Sequence, residues 1–285
     1  MPKEESNSTK YGNLYSYKFY IRPTAHRLYG DRFSSLKKIK HHENVQKLLQ
    51  TLFLNGICTT WEMAKIKHSN DVSTIRTKEK EFRRLIKGRT DRGKHSSGIM
   101  ELGLVINDGK KLEKGSSDTY RLSLPGILYC LDVLNLNEND IDKMAAKYAV
   151  FLPKVFGKWE FLKSIIGNDV YKIQILAKGL LLDNPELSLE KSPLYELMSF
   201  LNFKYRKFYE FISEKDLSEQ ISYWFYSCLL YQNHKKGKKE ISGIEKLQAI
   251  FKKDKEIAIW YKDFFDEAES YFKERSRVLK GAGIF

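Results

Sequence analysis

Val45, Leu48, Leu49, Leu52 and Phe53 recur at i, i+3, i+4, i+7 and i+8, the spacing of one apolar stripe on a helix. Asn55-Gly56 ends that helix. Thr59-Thr60 offers a hydroxyl N-cap, with Glu62 or Met63 in the first turn, and opens a short helix, TTWEMAKIK. His68–Asp71 reads as a turn. A third helix is predicted from about Ser73 to Lys87, with Val72, Ile75, Phe82, Leu85 and Ile86 on its core face. Gly88–Gly98 (GRTDRGKHSSG) reads as a polar loop. Leu102–Ile106 then predicts a strand, Asp108–Ser117 a hairpin loop, and Thr119–Leu122 the returning strand. Leu124-Pro125-Gly126 precedes a further helix, Ile127–Leu134.

Beyond residue 134 the pattern is helical almost throughout. Leu194, Met198, Leu201, Tyr205, Phe208 and Ile212 are spaced alternately four and three apart. Leu217, Ile221, Trp224, Cys228 and Tyr231 repeat that spacing, as do Ile257, Tyr261, Phe264, Ala268 and Tyr271. A 3.5-residue repeat marks helices that pack at shallow angles in bundles or coiled coils. The linker 135–140 (NLNEND) is the expected domain boundary. The chain is thus read as an extension at 1–40, a mixed domain at 41–134 and a helical domain at 135–285. Within the extension Tyr15, Tyr17 and Phe19 alternate, as in a short strand, amid Arg and Lys. That segment serves either as an arm lying on DNA or as a lid over the next domain.

Charge changes the picture. Of 285 residues, 50 are Lys or Arg and 36 Asp or Glu, for a net +14. Residues 1–130 hold 25 basic and 13 acidic residues, and 131–285 hold 25 and 23. A basic half joined to a balanced half points to a polyanion-binding module plus something else. The polar start, Met1–Tyr11, has no apolar run of the kind a signal peptide needs. The most apolar stretches, Tyr223–Tyr231 and Ile173–Leu182, fall well short of the roughly 20 residues of a spanning helix. Cys58, Cys130 and Cys228 are far apart in apolar surroundings, as expected of reduced core thiols in a cytoplasmic protein.

Three helices followed by a two-stranded hairpin is the order of a winged helix-turn-helix, and residues 41–134 resemble that superfamily in their motifs as well. Thr59-Thr60-Trp61-Glu62-Met63-Ala64 is similar to the start of its second helix, and Ser73-Thr74-Ile75-Arg76 to the start of its recognition helix. Leu102-Gly103-Leu104-Val105 resembles the helix-to-wing junction, and Tyr120–Gly126 (YRLSLPG) the second wing strand running into the next helix. The resemblance covers residues 41–134 and implies a winged helix there; with the helical periodicity beyond it, the expected fold is mainly α, an N-terminal winged helix followed by an all-helical bundle. Two features depart from it. The eleven residues Gly88–Gly98 separate recognition helix from wing, and Glu79 stands one turn after Ile75, where an apolar residue is usual.

The residue chemistry points the same way. A helix enters the major groove by its N-terminal half, where short polar side chains reach base edges and longer cations reach phosphates. With Ile75, Phe82 and Ile86 inward, Ser73, Thr74, Arg76, Thr77 and Lys80 point outward. Arg83, Arg84 and Lys87 extend the charge, and Arg89 continues it into the insert. Residues 72–95 hold nine basic and three acidic residues. Lys110, Lys111 and Lys114 furnish a basic wing, and Thr60 with the amides of Thr59–Trp61 a phosphate anchor at a helix N-terminus. A solvated helix face, or a winged helix that binds protein, would use the same residues.

The helical half offers a dimer seam, which suits a DNA-binding module because two-fold symmetry doubles the contact. No His lies at metal-ligand spacing with Cys or a carboxylate, and no phosphate loop or nucleophile motif occurs. Neither catalysis, a metal nor a cofactor is therefore expected. The expected partners are double-stranded DNA and a second copy of the chain, with no membrane. The expected role is transcription regulation. The alternative is an adaptor or structural factor of replication, chromatin or RNA metabolism, without sequence selectivity.

Overall fold

A computed structural model describes residues 36–68, 71–91, 93–96, 98–101, 103–112, 117–174, 177, 214–231 and 243–283. The extension through residue 35, Lys114, the repeat at 194–212 and the basic run at 235–239 lie outside them. The described part is mainly helical with a small three-stranded sheet. Residues up to Tyr148 belong to one compact unit; Ala149–Lys172 and the residues from Glu214 onward belong to a second.

The first unit begins with α1 (Leu36–Asn55). It starts nine residues before the apolar stripe that predicted it at Val45. That stripe is fully inside: Leu48, Leu49, Leu52 and Phe53 have no exposed surface. Burial of each such side chain contributes about 2 kcal/mol. β1 (Cys58–Thr59) follows, then α2 (Thr60–Lys67) and α3 (Val72–Lys87). Ile75, Phe82, Leu85 and Ile86 are buried as expected, but Val72 is 57% exposed. Asp71 is the N-cap, so Val72 sits in a first turn not yet covered by the core.

The segment read as a loop is instead a hairpin, β2 (Arg89–Asp91) and β3 (Lys94–Ser96). The following chain turns at Gly103 (φ 73°) rather than extending, so the next strand, β4, runs over Val105–Lys111 instead of 102–106. β5 (Ser117–Leu122) returns against it, and β1 pairs with the outer side of β5, giving the order β1-β5-β4, all antiparallel. Asp108 is the extra residue of a bulge between Asn107 and Gly109. From there its carboxylate accepts from the buried Arg121 Nε at 2.5 Å.

α4 (Leu124–Val133) starts three residues earlier than predicted, because Pro125 lies in its first turn, where no N–H is required, and Ser123 caps it. Leu124 and Ile127–Leu131 are all buried. α5 (Glu138–Lys147) begins inside the expected linker, through a capping box of Asn137 and Asp140, and packs on α1 within the first unit. Tyr148 ends it with a wholly buried hydroxyl that donates to Leu52 O at 2.9 Å and accepts from Leu122 N at 3.2 Å. One side chain thus joins the end of α1, the end of β5 and the end of α5.

The second unit holds α6 (Trp159–Ile166), α7 (Glu214–Tyr231), α8 (Gly243–Lys253) and α9 (Lys255–Gly281). Leu217, Ile221, Trp224, Ile257, Tyr261, Phe264 and Ala268 of the 3.5-residue repeats are buried. Tyr223 stacks on Phe264 and on Tyr261, with ring centroids 4.2 and 4.9 Å apart. Lys154 Nζ donates to Glu219 at 2.5 Å, and Trp260 donates to the other Glu219 oxygen. Cys58 and Cys130 are buried, Cys228 is half-buried, and all three are free thiols. Among the described residues no helix is long and apolar enough to cross a membrane.

Candidate nucleic-acid interface

α2 owes its position to a capping box. Thr59 Oγ1 accepts from Glu62 N at 3.1 Å, and Glu62 Oε2 accepts from Thr59 N at 2.8 Å. The Thr59 amide is therefore taken, and the expected anchor narrows to the amides of Thr60 and Trp61. The other Glu62 oxygen receives Lys111 Nζ at 2.8 Å, tying the end of β4 to this turn. Burial pushes the Glu62 carboxyl up, but Lys111 and the Thr59 N–H and hydroxyl outweigh it and hold it below its ordinary value.

Asp71 organises the start of α3. It accepts from Ser73 N and Ser73 Oγ, both at 2.9 Å, and from the Thr74 hydroxyl. Hydrogen bonds from Thr74 and then Ser73 pull its carboxyl down to about 2. Thr77 Oγ1 donates to Ser73 O at 3.0 Å. The three short hydroxyls expected to face a groove thus use their protons within the helix and present lone pairs outward.

Arg76, Lys80 and Arg84 follow at i, i+4 and i+8, so they form one row. All three are exposed, and none has an ion-pair partner among the described residues. Ser73 and Thr77 are exposed beside them. The next row differs. Arg83 pairs with Glu79 at 2.5 Å, and Lys87 with Asp118 of β5 at 2.8 Å. The Asp118 bond raises the Lys87 ammonium, and Lys87 in turn holds Asp118 below its ordinary value.

Thr60 is placed differently from expectation. Only 6% of it is exposed, and its hydroxyl donates to Glu79 Oε1 at 2.9 Å. It joins α2 to α3 rather than facing outward. Glu79 explains its own departure from the apolar rule: its side chain is 13% exposed and answers Thr60 and Arg83 together. Trp61, in contrast, is 40% exposed. These groups line a cleft of about 430 Å³ between α2, α3 and the β4–β5 hairpin, which Lys110 and Asp118 also line. Lys110 lies across the ladder from Asp118, and Arg89 is on β2. Sequence reading found the cations but missed the carboxylates that position them. The Thr-x-x-Glu spacing at Thr59–Glu62 and an Asp just ahead of Ser73 were the available signals.

No group of three or more His, Cys, Asp or Glu among the described residues could hold a metal ion. No family model matches the chain, and neither a curated protein nor a solved structure has significant similarity to it.

Proposed function

We propose that the first unit is a winged helix-turn-helix that binds duplex DNA and that the protein is a transcription regulator. The row Arg76, Lys80 and Arg84, exposed on the outer face of α3 beside Ser73 and Thr77, carries this reading. Such a row delivers guanidinium and ammonium groups to one groove and its flanking phosphates. Arg83 and Lys87 are held by acids, yet an arginine has five N–H donors and a lysine three, so each keeps donors for phosphate. Lys110 places a further cation on the wing. Because Ser73 and Thr74 spend their protons on Asp71, they act as acceptors. That favours the amino groups of adenine or cytosine over carbonyl edges.

The test is a salt titration of duplex binding by the full chain and by the Arg76→Ala, Lys80→Ala variant. The slope of log affinity against log salt is expected to become shallower by about 2, at about 0.9 per phosphate released. Binding that ignores the variant would move the reading to an adaptor that contacts protein or unpaired strands. The second unit, with its 3.5-residue apolar repeats, is read as the dimerising element. Sedimentation of the chain as a monomer at micromolar concentration would remove that part.

A further inference from the structure

Arg89, the expected contact residue beyond α3, stands on the hairpin of β2 and β3, whose other residues have no part in the binding scheme above. Arg89 stands opposite Ser96, Thr90 opposite His95 and Asp91 opposite Lys94, with Gly93 (φ 77°) in the turn. From Arg89 to Ser97 the sequence has no apolar residue, so packing does not explain the excursion. A two-stranded ladder without an apolar face is marginal in water on its own. Its base, however, is fixed. Gly88 N donates to Arg84 O at 2.9 Å, Ile99 N to Leu85 O at 3.0 Å and Met100 N to Ile86 O at 3.1 Å. These bonds occupy the last carbonyls of α3, which a helix end otherwise leaves open. A Cβ on Gly98 would lie 2.2 Å from Ile86 O and 2.3 Å from Gly88 N. The two ends of the excursion therefore touch, and the hairpin leaves the body at the C-terminus of the helix that bears Arg76, Lys80 and Arg84. By sequence its nine residues include three cations, Arg89, Arg92 and Lys94, and one acid, Asp91.

We propose that the β2–β3 hairpin is a second DNA-contacting arm, which engages backbone phosphates beyond those reached by α3. The proposal rests on α3 being the DNA-binding helix. Strands of three residues reach about 10 Å from their base. Cations placed there add affinity without base preference, since phosphate contacts carry no sequence information.

Two variants of the full chain test it. One is Arg89→Ala with Lys94→Ala. The other removes residues 89–97 and joins Gly88 to Gly98, which leaves the Leu85 and Ile86 carbonyl bonds in place. Each is titrated with labelled duplexes over a salt series, beside the Arg76→Ala, Lys80→Ala variant. The expected result for the alanine pair is a salt slope shallower by about 2, an affinity about tenfold lower at fixed salt, and an unchanged ranking of duplex sequences; the shortened chain, which also lacks Arg92, loses at least as much slope and affinity. An unchanged slope and affinity, with the Arg76 and Lys80 variant still weakened, would overturn the arm and leave α3 standing. Loss of RNA binding with duplex binding intact would also overturn it. Absence of duplex binding by the unaltered chain would bring down the α3 reading and the arm with it. If the shortened chain does not fold, the alanine pair decides alone.

Discussion

The hydroxyl of Thr60 donates to Glu79 Oε1 at 2.9 Å, so the second and third helices are joined by a polar bond where an apolar contact was expected. The same carboxylate binds Arg83 at 2.5 Å. Glu79→Ala therefore has two opposed consequences. It strands a buried hydroxyl, which lowers stability by about 1–2 kcal/mol. It also removes a carboxylate from beside Arg83 on the proposed DNA face, which strengthens duplex binding, most of all at low salt. Denaturant midpoints and duplex titrations on one preparation check both. A variant that loses stability but binds no better would place Arg83 outside the interface.

Tyr148 gives the second prediction. Leu52 O also accepts from Gly56 N, so loss of the Tyr148 hydroxyl costs that carbonyl little. Leu122 N loses the acceptor that Tyr148 supplies. Tyr148→Phe is expected to lower stability by about 2 kcal/mol through that buried amide, with an unchanged denaturant slope.

Gly126 gives the third. A Cβ there would lie 2.0 Å from Leu104 O, and backbone rather than a flexible side chain would have to move. Ser123 fixes this junction from the other side, donating Oγ to Gly103 O at 2.5 Å and N to Leu104 O at 3.1 Å. Gly126→Ala is expected to destabilise by about 3 kcal/mol, near the upper end of overpacking costs. A thermal midpoint equal to that of the unaltered chain would contradict the packing at this junction.

The fourth concerns Asp71. Its folded value of about 2 lies below the ordinary 3.8, so the carboxylate is favoured in the folded state. Its contribution to stability is therefore fully present above pH 3.8 and is lost as pH falls through about 2. An NMR titration of the Asp71 carboxyl should find that low midpoint. Ser73→Ala with Thr74→Val should raise it toward 3.8, because Thr74 and then Ser73 are the donors that depress it.

Periodicity located α3 to within one residue and placed Ile75, Phe82, Leu85 and Ile86 inside, since a 3.6-residue stripe needs only local information. The same logic was blind to β2–β3, because a strand with no apolar residue leaves no period to read. It also misplaced the start of α4: Pro125 reads as a breaker until Ser123 is seen capping the turn that contains it. At the candidate site the cations were legible and their restraint was not. Thr60–Glu79 and Lys87–Asp118 join residues 19 and 31 apart, and such bonds depend on how the elements meet in space. The sequence also suggested free hydroxyls at Ser73 and Thr74, where Asp71 has already claimed their protons.

α4 has almost no side turned to water. From Leu124 to Leu131 every residue is buried. A helix of that kind does not fray outward on its own, so its amides exchange with solvent only when the whole unit opens. Once exposed, the segment LPGILYCL is among the most adhesive stretches of the chain. The lifetime of the folded unit therefore sets how often this surface meets chaperones and proteases. Destabilising changes far from the proposed DNA face would act on the cellular amount of the protein before they act on any affinity for duplex.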